Sequence, residues 1–396
     1  MSAFVSTRRP RRGRQQRNGS RAASIKANKG LVNARSADEL LQIHAEHGGS
    51  FNTVNIATFW SRLGRMRPKE RAAALAQRGP QLEAVRVQTI ASLKTETWRG
   101  RQLANLAHAH GKLAYRGDEW SELKDAVAQV ALPQLHDFNS QELSNTAWAY
   151  AKAGHASPDL FEAVAKAALP QLHNFNSQDL SNTVWAYTTA GHASPDLFEA
   201  VVKAALPQLR NFKPQNLSNT AWAYAAAGHT SPDLFEAVAQ AAVPKLRSFK
   251  PQELSNTVWA YTTIGHASPD LFEAMAQAAV PQLRNFKPQD FSNTAWAYAT
   301  AGHASPDLFE AVAKAALPQL HNFRPQHLSN TVWAYATAGH ASPVLFQAVA
   351  QAALPQLRNF TEQALCNTAW AYAKAGHASP DLFEAMAQAA LPQLRN

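Results

Sequence analysis

The chain has 396 residues, of which 46% are apolar and 17% charged, and its formal charge is +10. An apolar fraction of that size supports a folded core, the longest apolar runs span only a few residues and exclude a transmembrane helix, and the single cysteine, Cys366, excludes an intrachain disulfide and a cysteine-built metal site. The charge is unevenly placed: residues 1–140 hold 23 Lys and Arg against 11 Asp and Glu, whereas residues 141–396 hold 15 against 17.

Residues 1–35 carry ten Lys or Arg and no acid, so the basic character begins as an N-terminal arm. Rich in Arg and Ser, the arm reads as an organellar transit peptide, as a disordered basic tail that holds phosphate, or as a nuclear signal. A solvated tail with no role is the bland alternative. Residues 36–140 read as worn helical repeats. Gly100 to Leu113 aligns with the first half of the repeat described next, Val130 to Phe138 with its end, and Phe51 to Arg65 more loosely.

From Gln141 the chain repeats itself. Trp148, Trp185, Trp222, Trp259, Trp296, Trp333 and Trp370 stand 37 residues apart, within seven copies of a unit that begins QELSNTAWAYAKAGHASPDLFEAVAKAALPQLHNFNS. The copies start at Gln141, Gln178, Gln215, Gln252, Gln289, Gln326 and Gln363, and the last stops at Asn396, three residues short. A frayed natural terminus and a fragment are both compatible with that ending.

Each copy reads as two helices. The first runs from about Gln141 to Ala153 and stops at Gly154, the residue that tolerates a left-handed cap. The second opens with Ser157 as N-cap and Pro158 at the first helical position, with Asp159 and Glu162 near the positive end of the dipole. Its apolar positions, Phe161, Val164, Ala168, Leu172 and Phe175, continue through Pro170, which predicts a kink or a break followed by a short turn. Helical hairpins at this period stack so that each buries its apolar face only against its neighbours.

On a helical wheel, Leu143, Ala147, Trp148, Tyr150 and Ala151 form the predicted core side of the first helix. An aromatic platform for bases is the alternative reading of the tryptophans. The opposite side holds Glu142, Asn145, Thr146, Ala149 and Lys152. Asn145 recurs as Asn182, Asn219, Asn256, Asn293, Asn330 and Asn367, either as a hydrogen-bond ladder or as a ligand contact. Two positions vary: Glu142, Asp179, Asn216, Glu253, Asp290, His327 and Ala364 at one, and Lys152, Thr189, Ala226, Thr263, Thr300, Thr337 and Lys374 at the other. Either they read base edges, or the first set caps a helix N-terminus and varies freely.

Phosphate contacts are expected from Arg210, Arg247, Arg284 and Arg358, in a row continued by His173, His321 and Arg395, and from Lys213, Lys250, Lys287 and Arg324 close by. Cations at a helix C-terminus are also plain dipole partners. The histidines of the GHASP turns, His155, His192, His229, His266, His303, His340 and His377, read as cap and turn residues. Neighbouring units stack about 8–10 Å apart, too far for one zinc ion to gather them at about 2 Å.

With these residues in hand, the unit resembles the octotricopeptide repeat family and its 37-residue relative, the heptatricopeptide repeats. The matching pattern is PQxLxNTxWAxAxxGH, then SPxLFxA and ALPQL, as in Pro214 to His229 and Ser231 to Ala237, with Val243 to Leu246 reading VPKL at the place of the last. The resemblance implies sequence-selective RNA binding in chloroplasts or mitochondria, acting on processing, stability or translation. Relatives often end in a RAP domain, a small nuclease-like module, for which this sequence has no residues, and no kinase signature is visible.

The sequence therefore predicts an all-α protein, an α-solenoid forming a right-handed superhelix of stacked two-helix repeats, organised as an arm (1–35), degenerate repeats (36–140) and seven repeats (141–396). The function expected is post-transcriptional binding of single-stranded RNA, about one base per repeat, with other proteins as further partners. A protein-binding scaffold is the alternative. No enzyme activity, cofactor, metal, membrane or small-molecule substrate is expected. The location expected is organellar, otherwise cytoplasmic or nuclear.

Overall fold

A computed structural model of the chain describes residues 12–113, 118–155, 157–303, 305–340 and 342–392. Among these residues every regular element is an α-helix or a 3₁₀ turn, and none is a strand. The chain divides after Ser194 into two halves. The N-terminal half contains α1 (Arg12–Asn33), α2 (Ala37–His47), α3 (Thr53–Arg65), α4 (Pro68–Gln77), α5 (Gly79–Thr95), α6 (Gly100–Leu113), α7 (Asp118–Ala131), α8 (Ser140–Ala153), α9 (Pro158–Ala168) and α10 (Ser177–Ala190). The C-terminal half contains α11 (Pro195–Ala205), α12 (Pro214–Ala226), α13 (Pro232–Ala242), α14 (Pro251–Ile264), α15 (Pro269–Ala279), α16 (Pro288–Thr300), α17 (Pro306–Ala316), α18 (Pro325–Ala338), α19 (Pro343–Ala353), α20 (Glu362–Ala375) and α21 (Pro380–Ala390).

The hairpin is punctuated as its sequence dictates. Gly154 closes α8 at φ 61°, a left-handed conformation that costs a residue with a Cβ about 1–2 kcal/mol. The next amide, His155, donates back to the Tyr150 carbonyl at 3.1 Å, the wide bond of a Schellman cap. The second helix opens at Ser-Pro, but the Ser157 hydroxyl makes no capping bond. The proline, pre-set for the first helical position, marks the start there. At Ala168 the α-helix ends, and Leu169–Asn174 continue as a 3₁₀ turn. This is the break expected at Pro170, which has no N–H to extend the ladder.

Within each half the first helices lie side by side: α3, α6, α8 and α10 in one, and α12, α14, α16, α18 and α20 in the other. Each half is thus a stretch of α-solenoid, with second helices packed behind the first. Small residues let the backbones close in. A Cβ on Gly111 would stand 2.9 Å from Ala149 Cα, and one on Gly64 3.1 Å from Ala109 Cα. A buried tyrosine links one repeat to the next: Tyr187 donates to the Phe161 carbonyl at 2.5 Å, and Tyr224, Tyr261, Tyr298, Tyr335 and Tyr372 make the same bond at 2.6–2.7 Å. Desolvation pushes these phenols well above their ordinary range. They stay neutral and donate. Gln171 bridges to the Phe138 carbonyl at 3.0 Å, and Lys245, standing where other repeats have Gln, reaches the Arg210 and Phe212 carbonyls at 2.6 and 2.8 Å.

The second half of the arm departs from the disordered-tail alternative. Residues 1–11 lie outside the described residues, but Arg12–Asn33 form α1, and Ala27, Leu31 and Ala34 are buried. The Ser24 hydroxyl donates to Asn55 of α3 at 2.6 Å, and Asn55 donates back to the Ser24 carbonyl at 3.0 Å. A stripe of small and apolar residues at 24, 27, 31 and 34, overlooked among the charges, gives this helix a side to bury.

Candidate functional site

The largest correction concerns the tryptophans. The buried residues of α8 are Leu143, Ser144, Thr146, Ala147, Ala149, Tyr150 and Ala151. Trp148 is only half-buried. It belongs to an outward stripe at spacings of 4, 3 and 4 that reads Gln141, Asn145, Trp148, Lys152. The same stripe recurs in every repeat. The glutamines and the 152-type residues are exposed, apart from half-buried Thr337, while the asparagines and tryptophans are half-buried, apart from Trp370 at 43% exposure.

A first helix has a neighbour on each flank as well as a second helix behind it, so its buried arc is wide. Close packing there selects small residues over large ones. Thr146 and Ala149, expected on the exposed side, are buried. Thr146, Thr183, Thr257, Thr331 and Thr368 satisfy their hydroxyls on the carbonyl four residues back, each at 2.7 Å.

The row at Glu142 is corrected too. These residues occupy the third helical position and accept from the backbone N–H of the N-cap residue: Glu142 from Asn139 at 3.0 Å, Asp179 from Asn176 at 3.3 Å, Asn216 from Lys213 at 3.3 Å, Glu253 from Lys250 at 2.9 Å, Asp290 from Lys287 at 2.9 Å and His327 from Arg324 at 3.3 Å. Asp179, Asn216, Glu253, Asp290 and Ala364 are buried. Ser144 and Ser255 donate across to Asp179 and Asp290 at 3.2 and 3.3 Å. Burial pushes both aspartates above their ordinary range, against those hydrogen bonds. The variation at this position therefore changes a helix cap first, although Glu142 and His327 stay half-exposed and His327 and Ala364 also line the cleft described next.

Among the described residues, none of the seven asparagine side chains and none of the seven indole N–H groups of the stripe has a hydrogen-bond partner, so the ladder alternative for the asparagines falls away. In the C-terminal half a cleft of about 870 Å³ lies along this surface, walled by Trp259, Trp296 and Trp333, with Gln289, Gln326, Gln363, Asn293, Asn330 and Asn367 between them and Arg324 on its lip. Where neighbouring indoles approach closely, their centroids are 6.4 Å apart for Trp148 and Trp185 and 6.2 Å for Trp333 and Trp370, with planes tilted by 32° and 29°. Lys374, four residues past Trp370, places its ammonium 4.9 Å over that ring, a cation–π contact.

The expected phosphate residues divide into two rows. Arg210, Arg247, Arg284 and Arg358 are exposed in the 3₁₀ turns, while Arg395 lies outside the described residues. Lys213, Lys250, Lys287 and Arg324 are exposed at the N-caps of α12, α14, α16 and α18, along one edge of the stripe. A cation opposes the dipole there, and the Asn139, Asn176 and Thr361 caps accept helix amides that these side chains cannot.

Sequence alignment missed members of the stripe in the worn repeats. On α6 it reads Arg101, Asn105, His108, Lys112, and the His108 ring meets Trp148 at 5.0 Å. Trp60 of α3, by contrast, is fully buried and donates to Thr89 at 2.9 Å. The turn histidines sit as expected. Their amides close the Schellman caps, and rings such as His229 stack on Phe198 at 4.5 Å.

Residues 81–392 match the family described as RNA-editing substrate-binding complex 8 protein. The chain belongs to that family. The resemblance drawn from the repeats thus holds as a helical-repeat family named for RNA, and the family itself is this one. Solved structures with some likeness include a pentatricopeptide repeat protein from maize (11% identity over 97% of this chain and 65% of that one, TM-score 0.32). A circular tandem repeat protein matches at 14% identity over 97% and 90%, TM-score 0.21. A homology model of the full-length AP-3 complex matches at 9% identity over 89% and 70%, TM-score 0.29. This chain spans just under two thirds of the maize protein.

Proposed function

We propose that this chain binds single-stranded RNA along the outward stripes of its first helices, by binding and not by catalysis. The observation that carries the reading is the stripe itself: large indoles left half-exposed in register, each beside an amide that has no partner among the described residues. Bases of any kind stack on aromatic faces, and such stacking is worth about 1–3 kcal/mol per base. A base between two rings occupies twice the stacking distance of about 3.4 Å, or about 6.8 Å. The close tryptophan pairs stand within about half an ångström of that spacing. Asn and Gln amides supply both donors and acceptors for a base edge, and the cations at the N-caps lie where a backbone would run.

In this reading each repeat of the C-terminal half faces about one nucleotide. Organellar transcripts, and their processing, stability or translation, remain the proposed context, supported by the acid-free arm and by the family's name. The test is selection of bound sequences from a randomised RNA pool by the full chain at low salt, with Trp259→Ala/Trp296→Ala as control. Recovery of RNA by the wild type and its loss by the variant supports the proposal. If no RNA is retained by the wild type, the protein-scaffold alternative replaces it.

A further inference from the structure

The cations assigned so far belong to the C-terminal half. In the N-terminal half, Arg65, Lys112 and Lys152 occupy equivalent places in the last turns of α3, α6 and α8, three helices that lie side by side. They flank a ring row on the same surface, in which His108 meets Trp148 at 5.0 Å and Trp148 meets Trp185 at 6.4 Å. The next helix carries Thr189 at this place, so the charged edge covers α3, α6 and α8 only.

Cations in a last turn are good dipole partners, and that would account for one of them. It does not account for their company. Several acids of this half are engaged elsewhere: Glu70 with Arg67 at 2.6 Å, Asp38 with Arg78 at 2.8 Å, Glu83 and Glu122 with Arg86 at 2.7 and 3.0 Å, and Asp125 with His155 at 2.8 Å. Among the described residues Arg65, Lys112 and Lys152 have no ion pair. Burial first, and then the cations Arg65 and Arg71, hold the Lys112 ammonium below the ordinary range. The neighbouring His108 is pushed down to about 4 by burial first, then by Lys112 and Arg65. Arg71 is itself fixed on the end of α3, donating to the Gly64 and Met66 carbonyls at 3.1 and 2.9 Å. Positive charge is thus concentrated beside a row of rings, and among the described residues no acid pairs with it.

We propose that Arg65, Lys112 and Lys152 form a phosphate-binding edge, which seats the phosphates of nucleotides whose bases stack on His108 and Trp148. This rests on the RNA-binding reading and adds a site to it. In the C-terminal half the cations stand at the N-terminal ends of the first helices, and in the N-terminal half at their C-terminal ends. A phosphodiester within a strand and a terminal 5′-phosphate share the chemistry required.

The experiment measures the affinity of the full chain for one single-stranded RNA, with and without a 5′-phosphate, across a salt series. Wild type is compared with Arg65→Gln/Lys112→Gln, Lys152→Gln, the conservative Arg65→Lys, and Arg78→Gln, a single-charge control away from the rings that matches Lys152→Gln. Single strands contribute a slope of about 0.7 per phosphate contact to log K against log salt. The double variant should flatten the slope by about 1.4, Lys152→Gln by about 0.7, and Arg65→Lys and Arg78→Gln by little, with unchanged circular dichroism. Loss confined to the 5′-phosphorylated RNA supports a terminal phosphate at the edge, and equal loss on both RNAs supports an internal one. A wild-type slope in the double variant, while RNA still binds, overturns the edge and leaves the RNA reading standing. Wild type that binds neither RNA overturns both.

Discussion

Trp296 and Tyr298 are two residues apart on α16 and face opposite ways, which makes them a sharp test of the interface. Tyr298 is 1% exposed and donates to Phe272 at 2.6 Å. Trp296 is half-buried and walls the cleft. Truncating a fully buried aromatic costs about 3–5 kcal/mol, so Tyr298→Ala should lower stability by about that amount and disturb neighbouring repeats, because a solenoid is held repeat to repeat. Trp296→Ala gives up only the covered side of its ring, roughly 1–2 kcal/mol on the same scale. Its larger effect should fall on binding. Loss of a stacked base at about 1–3 kcal/mol is about a 5- to 150-fold rise in Kd, at about 1.4 kcal/mol per tenfold. Thermal unfolding followed by circular dichroism gives the first quantity, and fluorescence anisotropy with a labelled RNA gives the second, below the unfolding range of both variants. If Trp296→Ala binds RNA as wild type does but unfolds like Tyr298→Ala, the indole is packing and the stripe is not the interface.

Three further outcomes follow from the fold. Burial holds the Asp290 carboxyl above its unfolded value of about 3.9, so the stability linked to its proton is fully present below about pH 3.9 and is lost as pH rises through the folded value. Asp290→Asn, which copies the natural Asn216, should therefore gain in melting temperature relative to wild type between about pH 3 and pH 7, and a constant difference would refute the burial argument. Gly265→Ala meets no atom within 4 Å but must adopt φ 70°. It should cost about 1–2 kcal/mol, and Gly265→Asn less; equal losses in a denaturant titration would show that the turn does not need the left-handed conformation. Gly111→Ala forces a Cβ to 2.9 Å from Ala149 Cα. Overpacking of this kind costs about 1–3 kcal/mol, and wild-type stability in the variant would mean that α6 and α8 part without cost.

The hairpin was legible because its stops are local. Gly154, Ser157-Pro158 and Pro170 each act through their own backbone, so spacing alone places the two helices and the break. The face of the first helix was not legible in the same way. Hydrophobicity ranks Trp148 above Ser144, Thr146 and Ala149, and a wheel weighted by it turns the helix so that the indole points inward. In this fold, close approach of three neighbours decides burial, and it favours residues such as Ala149, which a glycine at 111 meets almost backbone to backbone. The contrast between fixed and changing positions misled for a related reason. Position 142 changes because several side chains, Glu, Asp, Asn and His among them, can accept the same N-cap amide. The α1 stripe was hidden by charge, and the edge at Arg65 by the wear of the repeat around it.

These placements change what selectivity the stripe can have. The Gln, Asn and Trp positions are identical in all seven repeats. The row beginning at Glu142 is spent mainly on helix caps, with only His327 and Ala364 reaching the cleft. The variable position that is exposed in nearly every repeat is the 152-type one, through Lys152, Thr189, Ala226, Thr263, Thr300, Thr337 and Lys374, and in four of those seven it is threonine. Lys374 shows how that residue acts, reaching the ring four residues before it. Identical contacts repeated along a strand cannot distinguish one nucleotide position from the next. The RNA selected by this chain should therefore be a short-period or near-homopolymeric run, not an irregular sequence with one letter per repeat. The swap Asn216→Asp should shift stability and leave the selected motif unchanged, because its side chain is spent on the Lys213 amide. Ala226→Lys should strengthen binding about uniformly and steepen the salt dependence by about 0.7, as one added phosphate contact does on a single strand. Sequencing of pools selected by wild type and both variants decides it. An irregular motif whose letters move with Asn216→Asp would return base reading to a side chain that the structure buries, and the stripe would then be the wrong surface.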